Sequence, residues 1–415
     1  MPLRRKVLSA LAGTVLVAVP ALSALAQSPT STRGAGNRGS GDPASRSISD
    51  PASRGTSDPG SRGAIGPESR GVASTERQLL GKGPIGVALL VPPDNGIYRR
   101  AAQALIAGVR AAHARDGARV TLEIIEIDED AAKLRALYDE LAQRGFSMVI
   151  GPLARSAVDL VAAAGPPPVF TLALNQPDKG AVPANMVTFG LSIESEARQA
   201  ASIAWEEATI ANASRRPRAA AVQDASPLGA RAAAAFAARW RELGGDVYQP
   251  VTIDTVTTGR VRTAVARLQA DVYFVAAPPA AARALLIALG TRATIYATSL
   301  TNTGAVAGSE ATALVRSPDL DGVRLVEMPW QVQPDHPVVM AYPKPAEMHL
   351  ELQKLYALGI DAFRLALQLL ERGPEVELDG VTGRLRLSAL GGRAVERTGV
   401  LAEYRAGVLV PLTLQ

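Results

Sequence analysis

Residues 85–112 read IGVALLVPPDNGIYRRAAQALIAGVRAA, and the way this stretch is built decides the fold. Ile85–Val91 is an unbroken apolar run without in-out alternation, so this strand is expected to be covered on both faces. Pro92-Pro93-Asp94-Asn95-Gly96 follows, a cluster of turn-forming residues. Ala102, Leu105, Ile106 and Val109 then recur three and four apart, the spacing of one helix face. A buried strand, a loop and an amphipathic helix make the repeating unit of a parallel sheet with helices on its faces.

The same rhythm continues outward. Strands are expected at 120–127, 147–150, 169–174 and 186–191, with helices at 131–144 and 156–163 between them. Gly145 is placed to end the second helix, where a left-handed cap favours glycine. After a helix at 196–209 the pattern restarts: strands at 219–223, 247–253, 272–276, 294–297 and 323–326, helices at 229–243, 261–268 and 280–289. A long helix at 347–371 precedes strand-like stretches at 385–387 and 400–404. The expected class is therefore α/β, with two doubly wound lobes built on parallel sheets and joined by a hinge. Lobe 1 is expected to hold about 84–192 plus 328–390, and lobe 2 about 193–327 plus the C-terminal segment. Ligands of open α/β sheets bind beyond the carboxyl ends of the strands, so two facing lobes define a cleft that hinge motion can close.

Ahead of this body, Arg4-Arg5-Lys6, an apolar run to Ala26 and the small-residue end Ala24-Leu25-Ala26 read as a signal peptide over 1–26. The alternative is an uncleaved anchor, since the run is nearly long enough to span a bilayer. Residues 27–83 are rich in Gly, Pro, Ser and Arg and hold four degenerate octapeptides beginning at Asp42, Asp50, Asp58 and Gly66. Such a segment buries too little apolar surface to offset its ordering entropy and is expected to be a disordered tether. The G-x-G-x-x-G pattern at Gly34, Gly36 and Gly39 falls inside it, without the strand and helix that a dinucleotide site needs.

The chain carries 44 Lys and Arg against 39 Asp and Glu. The export segment and tether hold all of the excess, leaving 33 basic and 34 acidic residues from Pro84 onward. A near-neutral body lacks the concentrated positive surface of a nucleic-acid partner. The absence of cysteine excludes disulfides, thiolate metal sites, a cysteine nucleophile and lipid attachment through cysteine within these residues.

The segments VIGPLARSAV (149–158), FTLALNQ (170–176), FGLSIESEARQAA (189–201), VQDASPLGARAAAAF (222–236), EMPWQ (327–331), YALGIDAFRLA (356–366) and GVTGRLRL (380–387) carry a resemblance. With the opening 85–112 stretch they resemble type I periplasmic-binding proteins of the branched-chain amino-acid class, and within that fold the penicillin-binding protein activator family. The resemblance covers about residues 84–390 and implies a two-lobed envelope protein that stimulates a peptidoglycan synthase, a penicillin-binding protein. Well-known activators are lipoproteins anchored by a lipidated cysteine, and some carry an N-terminal helical-repeat domain. This sequence has no cysteine, and the Gly/Ser/Arg tether stands where the repeat domain would be.

By position after strand ends, the cleft candidates are Asp94 and Asn95, Arg155 and Ser156, Asn175 and Gln176, Asp224 and Ser226, and Ser299. Around Gly151-Pro152, a hydroxyl and the amides of a helix start suit a ligand carboxylate, and Arg155 would add a forked contact. Against this, Ser156 and the Asp224–Pro227 segment read equally as helix caps and turns. Asp361 is a cleft candidate through the resemblance, with helix-capping or interlobe hydrogen bonding as its alternative. Trp330 reads as core packing, and Asp128-Glu129-Asp130 as favourable charge at a helix start.

No catalytic constellation is apparent. His113, His336 and His349 are the only histidines and lack metal-ligand spacing; neither a G-x-S-x-G elbow nor a phosphate-binding G-x-x-x-x-G-K-[ST] loop occurs. No cofactor or metal is expected. The leading expectation is a non-enzymatic periplasmic regulator of a penicillin-binding protein. The alternative is a solute-binding protein of an importer, with an amino acid or similar molecule in the cleft; an amino acid or muropeptide ligand is compatible with the first reading too.

Overall fold

The computed structural model describes residues 77–412 apart from 213, 254–257, 291–293, 305–315, 346–347 and 389–391. The expected signal segment and residues 27–76 of the expected tether lie outside the described residues.

The first lobe is built on strands β1 (Arg77–Leu80), β2 (Ile85–Val91), β3 (Val120–Glu126), β4 (Met148–Ile150), β5 (Thr171–Ala173) and β6 (Met186–Thr188). They lie in the order β1-β3-β2-β4-β5-β6, with β2 to β6 parallel. Helices α1 (Arg99–Asp116), α2 (Ala131–Gln143) and α3 (Arg155–Ala163) connect them. Because β2 is covered on both faces, Val87, Leu89 and Val91 join one core and Ala88 and Leu90 join another, as an unbroken apolar run requires.

The second lobe holds α4 (Ile193–Ala211), β7 (Arg218–Gln223), α5 (Pro227–Glu242), β8 (Asp246–Val247), β9 (Val251–Thr252), α6 (Thr258–Val265), β10 (Val272–Ala276), α7 (Pro279–Leu289), β11 (Thr294–Ala297) and β12 (Val323–Glu327). The chain then returns to the first lobe through α8 (Pro329–Val332), α9 (Pro337–Met340), α10 (Leu350–Arg372), β13 (Val376–Asp379), β14 (Arg384–Leu387) and β15 (Glu396–Thr398). Strands β13 to β15 form a separate antiparallel sheet. Finally β16 (Val400–Arg405) and β17 (Val408–Pro411) add antiparallel to β12 at the edge of the second sheet. The fold is the type I periplasmic-binding fold, two doubly wound lobes joined by a hinge.

Three boundaries differ from the sequence expectation. A strand lies inside the expected 27–83 tether: β1, at Arg77–Leu80, pairs antiparallel with β3. Arg77 also forms a forked pair with Glu140 at 2.6 and 2.8 Å. A four-residue edge strand with one apolar pair carries no periodic signal, so only its pairing reveals it. The expected strand at 247–253 is two short strands, β8 and β9, interrupted at Pro250, which has no amide to donate to a ladder. The first lobe also continues past 390: Val395 lies in its core, and Thr188 exchanges backbone hydrogen bonds with Arg393 and Val395.

Helix α10 docks on α1 through two glycines. A Cβ on Gly108 would stand 1.9 Å from the Tyr356 carbonyl oxygen, and one on Gly359 would stand 2.3 Å from that of Leu105. The YALGIDA segment thus brings two helix backbones into direct contact, and the late helix becomes part of the first lobe.

Candidate functional site

In both lobes the strand order is 2-1-3-4-5, as β3-β2-β4-β5-β6 and as β8-β7-β10-β11-β12. Winding reverses beside β2 and beside β7, and loops leaving neighbouring carboxyl ends part there to open a crevice. Asp94, Asn95, Arg155 and Ser156 flank the first switch point; Asp224 and Ser226 flank the second.

Most of these polar groups are engaged locally. Asp94 accepts a hydrogen bond from the Gln103 amide at 2.7 Å, and its own N–H donates to Glu126. Asn175 Oδ1 accepts from the Gln176 N–H at 3.0 Å. Asp224 Oδ1 accepts from the Ser226 hydroxyl at 2.6 Å, and Ser226 Oγ caps α5 by accepting from the Gly229 N–H. Arg155 pairs with Asp178. Asn95, Ser156 and Gln176 are exposed. Ser156 does not cap α3, since Ala154 occupies that position. Arg155 also acts at the start of α4: burial opposes ionisation of Glu194, but its backbone, Ser192, Arg231 and Arg155 hold the carboxyl below its ordinary range.

Between these groups the first rim is mostly apolar, with Asp128 and Glu129 also lining it. Pro92, Pro93, Ile97, Tyr98, Leu153 and Ala154 line a recess of about 210 Å³. Ile97 is 92% exposed and Tyr98 47%; across the switch points, Leu228 at the start of α5 is 37% exposed. Such rims suit contact with apolar surface better than capture of a zwitterion.

Asp361 points elsewhere. It is fully buried, and its carboxylate accepts from the Val381 and Thr382 N–H groups, the Thr382 hydroxyl and Arg364. It clamps the turn between β13 and β14 inside the first lobe. Trp330 is buried beside Tyr356, with ring centroids 5.3 Å apart. Asp130 caps α2, accepting from the Lys133 N–H.

Ser299 leads to the part of the site that sequence reasoning missed. Three segments carry the chain between lobes, at 189–192, at Met328 and at Gly399. Where they meet, Glu196, Glu327, Lys354 and Arg397 are all buried. Glu196 accepts from Arg397 Nη2 at 2.8 Å and from the Ser299 N–H at 3.0 Å. Glu327 accepts from Asn302 Nδ2 at 2.7 Å and from the Met328 N–H at 2.9 Å. Lys354 donates to Glu351 at 2.9 Å and to the Ser299 carbonyl at 3.4 Å. Burial pushes the Glu327 pKa up; burial also works against the Lys354 ammonium, yet Glu327, Glu351 and Glu196 leave its pKa raised. One signal was present in the sequence: Lys354 and Asp361 fall on the apolar stripe of α10 with Leu358 and Leu365, where a charge needs a buried partner. Among the described residues, no group of three or more His, Asp or Glu is placed to hold a metal ion.

A family model described as "LppC putative lipoprotein" matches residues 79–256 and 255–407. The chain belongs to the LppC family. Among curated LppC relatives, the penicillin-binding protein activator LpoA of Edwardsiella piscicida is 28% identical over 328 residues, 69% of this chain and 45% of that protein. LpoA of Haemophilus influenzae is 28% identical over 307 residues, 70% and 50% of the two chains. This LppC chain thus spans about half the length of the curated relatives it matches. Among solved structures, a "putative branched-chain amino acid ABC transporter" of Chromobacterium violaceum aligns with TM-score 0.63 and 32% identity, over 77% of this chain and 99% of that one. The LpoA C-domain of H. influenzae, named a regulator of PBP1A, aligns with TM-score 0.62 over 79% of this chain and 100% of that one. At 23% identity this second likeness is one of fold.

Proposed function

We propose that this LppC chain is a non-enzymatic periplasmic regulator that stimulates a penicillin-binding protein, a peptidoglycan synthase, through its two-lobed domain. The observation that carries the reading is the alignment of proteins named penicillin-binding protein activators along 69% of the chain. The apolar rims, with polar groups already engaged at home, support contact with a protein over capture of a free amino acid. The basic and apolar N-terminal segment supports export. The family is described as lipoproteins, but the 415 residues contain no cysteine, so a cysteine-linked lipid anchor has no acceptor within them.

The test is the glycan-polymerising and cross-linking rate of a purified penicillin-binding protein from the same organism, titrated with the full chain. A saturable rise in rate is expected; an unchanged rate in the presence of folded chain overturns the reading. A second reading, solute delivery to an importer, is favoured by the 32% identity to the Chromobacterium violaceum structure. It predicts that an amino acid at about 100 times its dissociation constant adds ~2.7 kcal/mol of stability in thermal unfolding.

A further inference from the structure

We infer that the hinge is pinned: beside the three interlobe segments, groups of the two lobes are bonded into one buried node that holds the lobes at a fixed angle, so the domain presents a rigid surface and does not close over a ligand. This goes beyond the regulatory reading and stands on the lobe geometry alone.

The charges divide by lobe. Lys354 on α10 and Arg397 on β15 belong to the first lobe, whose core contains the neighbours of both. Glu196 on α4 and Glu327 at the end of β12 belong to the second. Each lobe therefore brings two ionisable groups of one sign to the node; Arg397 finds its counter-charge across the hinge, whereas Lys354 also pairs with Glu351 on its own helix at 2.9 Å. Arg397 reaches Glu196 across the hinge at 2.8 Å with both side chains 5% exposed or less. Lys354 reaches the Ser299 carbonyl of the second lobe and faces Glu327 and Glu196. Rotation that parted Arg397 from Glu196 would strand two charges in a poorly solvated site, which is why buried ion pairs can fix one geometry even where they add little net stability.

The backbone is laced as well. Hinge motion is absorbed by φ and ψ changes at a few residues between lobes. Here the Gln199 amide makes two hydrogen bonds to Gly399, donating to its carbonyl and accepting from its N–H, both at 2.8 Å. Gly399 is also pressed onto the second crossover, since a Cβ there would stand 2.8 Å from Val326 Cγ1 and 2.9 Å from the Glu327 carbonyl. Glu327 in turn accepts from the N–H of Met328, within that crossover. A torsion change at Gly399 would therefore break its bonds to Gln199 on α4 or press it against Val326 and Glu327.

The chain contains no cysteine, so cysteines at two exposed positions label the lobes without background. Lys179→Cys and Ala225→Cys place spin labels on loops after β5 and β7 in the full chain, and pulsed electron resonance reads the distance between them. One narrow distribution is expected, unchanged by millimolar leucine or D-alanyl-D-alanine. Lys354→Met is expected to broaden or shift it; Gln199→Ala, which removes no buried charge, is expected to do so in a chain that still folds. A broad or two-peaked distribution in the parent, movement on adding either ligand, or a Gln199→Ala variant with the parental distribution overturns the inference. Synthase stimulation is measured separately, so a mobile hinge with intact stimulation removes this inference and leaves the regulatory reading standing.

Discussion

Asp361 shows how one side chain is committed by burial. A carboxylate without solvent exposure accepts from two backbone amides, a hydroxyl and a guanidinium, and so organises the turn that carries the TGRLRL segment. Asp361→Ala would leave those donors and Arg364 without their acceptor, a loss expected to cost about 3–5 kcal/mol by analogy with broken buried pairs. Urea denaturation of the parent and variant checks this, with a lower midpoint at similar slope expected. At the surface, Glu140 has its pKa lowered from 4.5 to about 2, chiefly by its hydrogen bond to Arg77 and against burial, with Arg144 adding to the effect. The folded pKa lies below the unfolded one, so the stabilisation is present above pH 4.5 and is lost as pH falls toward 2. Thermal unfolding followed through that window is therefore expected to fall less steeply in Glu140→Gln than in the parent. Equal slopes would mean that the Arg77 pair does not hold β1 in solution.

At the scale of elements, the contact of α1 with α10 decides whether the late helix joins the first lobe. Alanine in place of glycine normally favours a helix by about 1 kcal/mol. At Gly359 the added Cβ meets a backbone oxygen at 2.3 Å, and overpacking of this kind costs typically 1–3 kcal/mol or more. The second effect outweighs the first, so Gly359→Ala is expected to destabilise the chain. Hydrogen exchange should locate the loss in α10 and in β13 to β15; unchanged protection there would contradict the packing argument. The parallel strands were legible because continuous apolar runs such as IGVALLV are local signals. Strands β1, β13, β15 and β17 were not, because edge strands of three or four residues are too short to carry a periodic signal and acquire their structure from a partner.

For the molecule as a whole, the two switch points place apolar side chains at the rims beside polar groups many of which are engaged locally. If this surface meets a synthase, Ile97→Asp should lower stimulation while thermal unfolding stays unchanged, because Ile97 is 92% exposed and supports no core. Loss of stimulation accompanied by a fall in melting temperature would instead assign Ile97 a structural role. The candidate residues were chosen by position after strand ends, which topology does dictate. Asp94, Asp224 and Ser226 indeed sit at the switch points, but position does not say what each side chain bonds. That depends on a neighbouring turn, cap or glutamine.

The sequence by itself determined the α/β class, the two successive doubly wound units, the near-neutral body and the segments that resemble an activator family, because these rest on periodicity, composition and contiguous motifs. Only the tertiary structure decided that Arg77–Leu80 pairs as a strand with β3, that Asp361 serves a turn, and that Glu196 meets Arg397. The last two are 201 positions apart. Their pairing is created by three crossovers converging at one hinge, and no local pattern encodes the partner of a charge buried there.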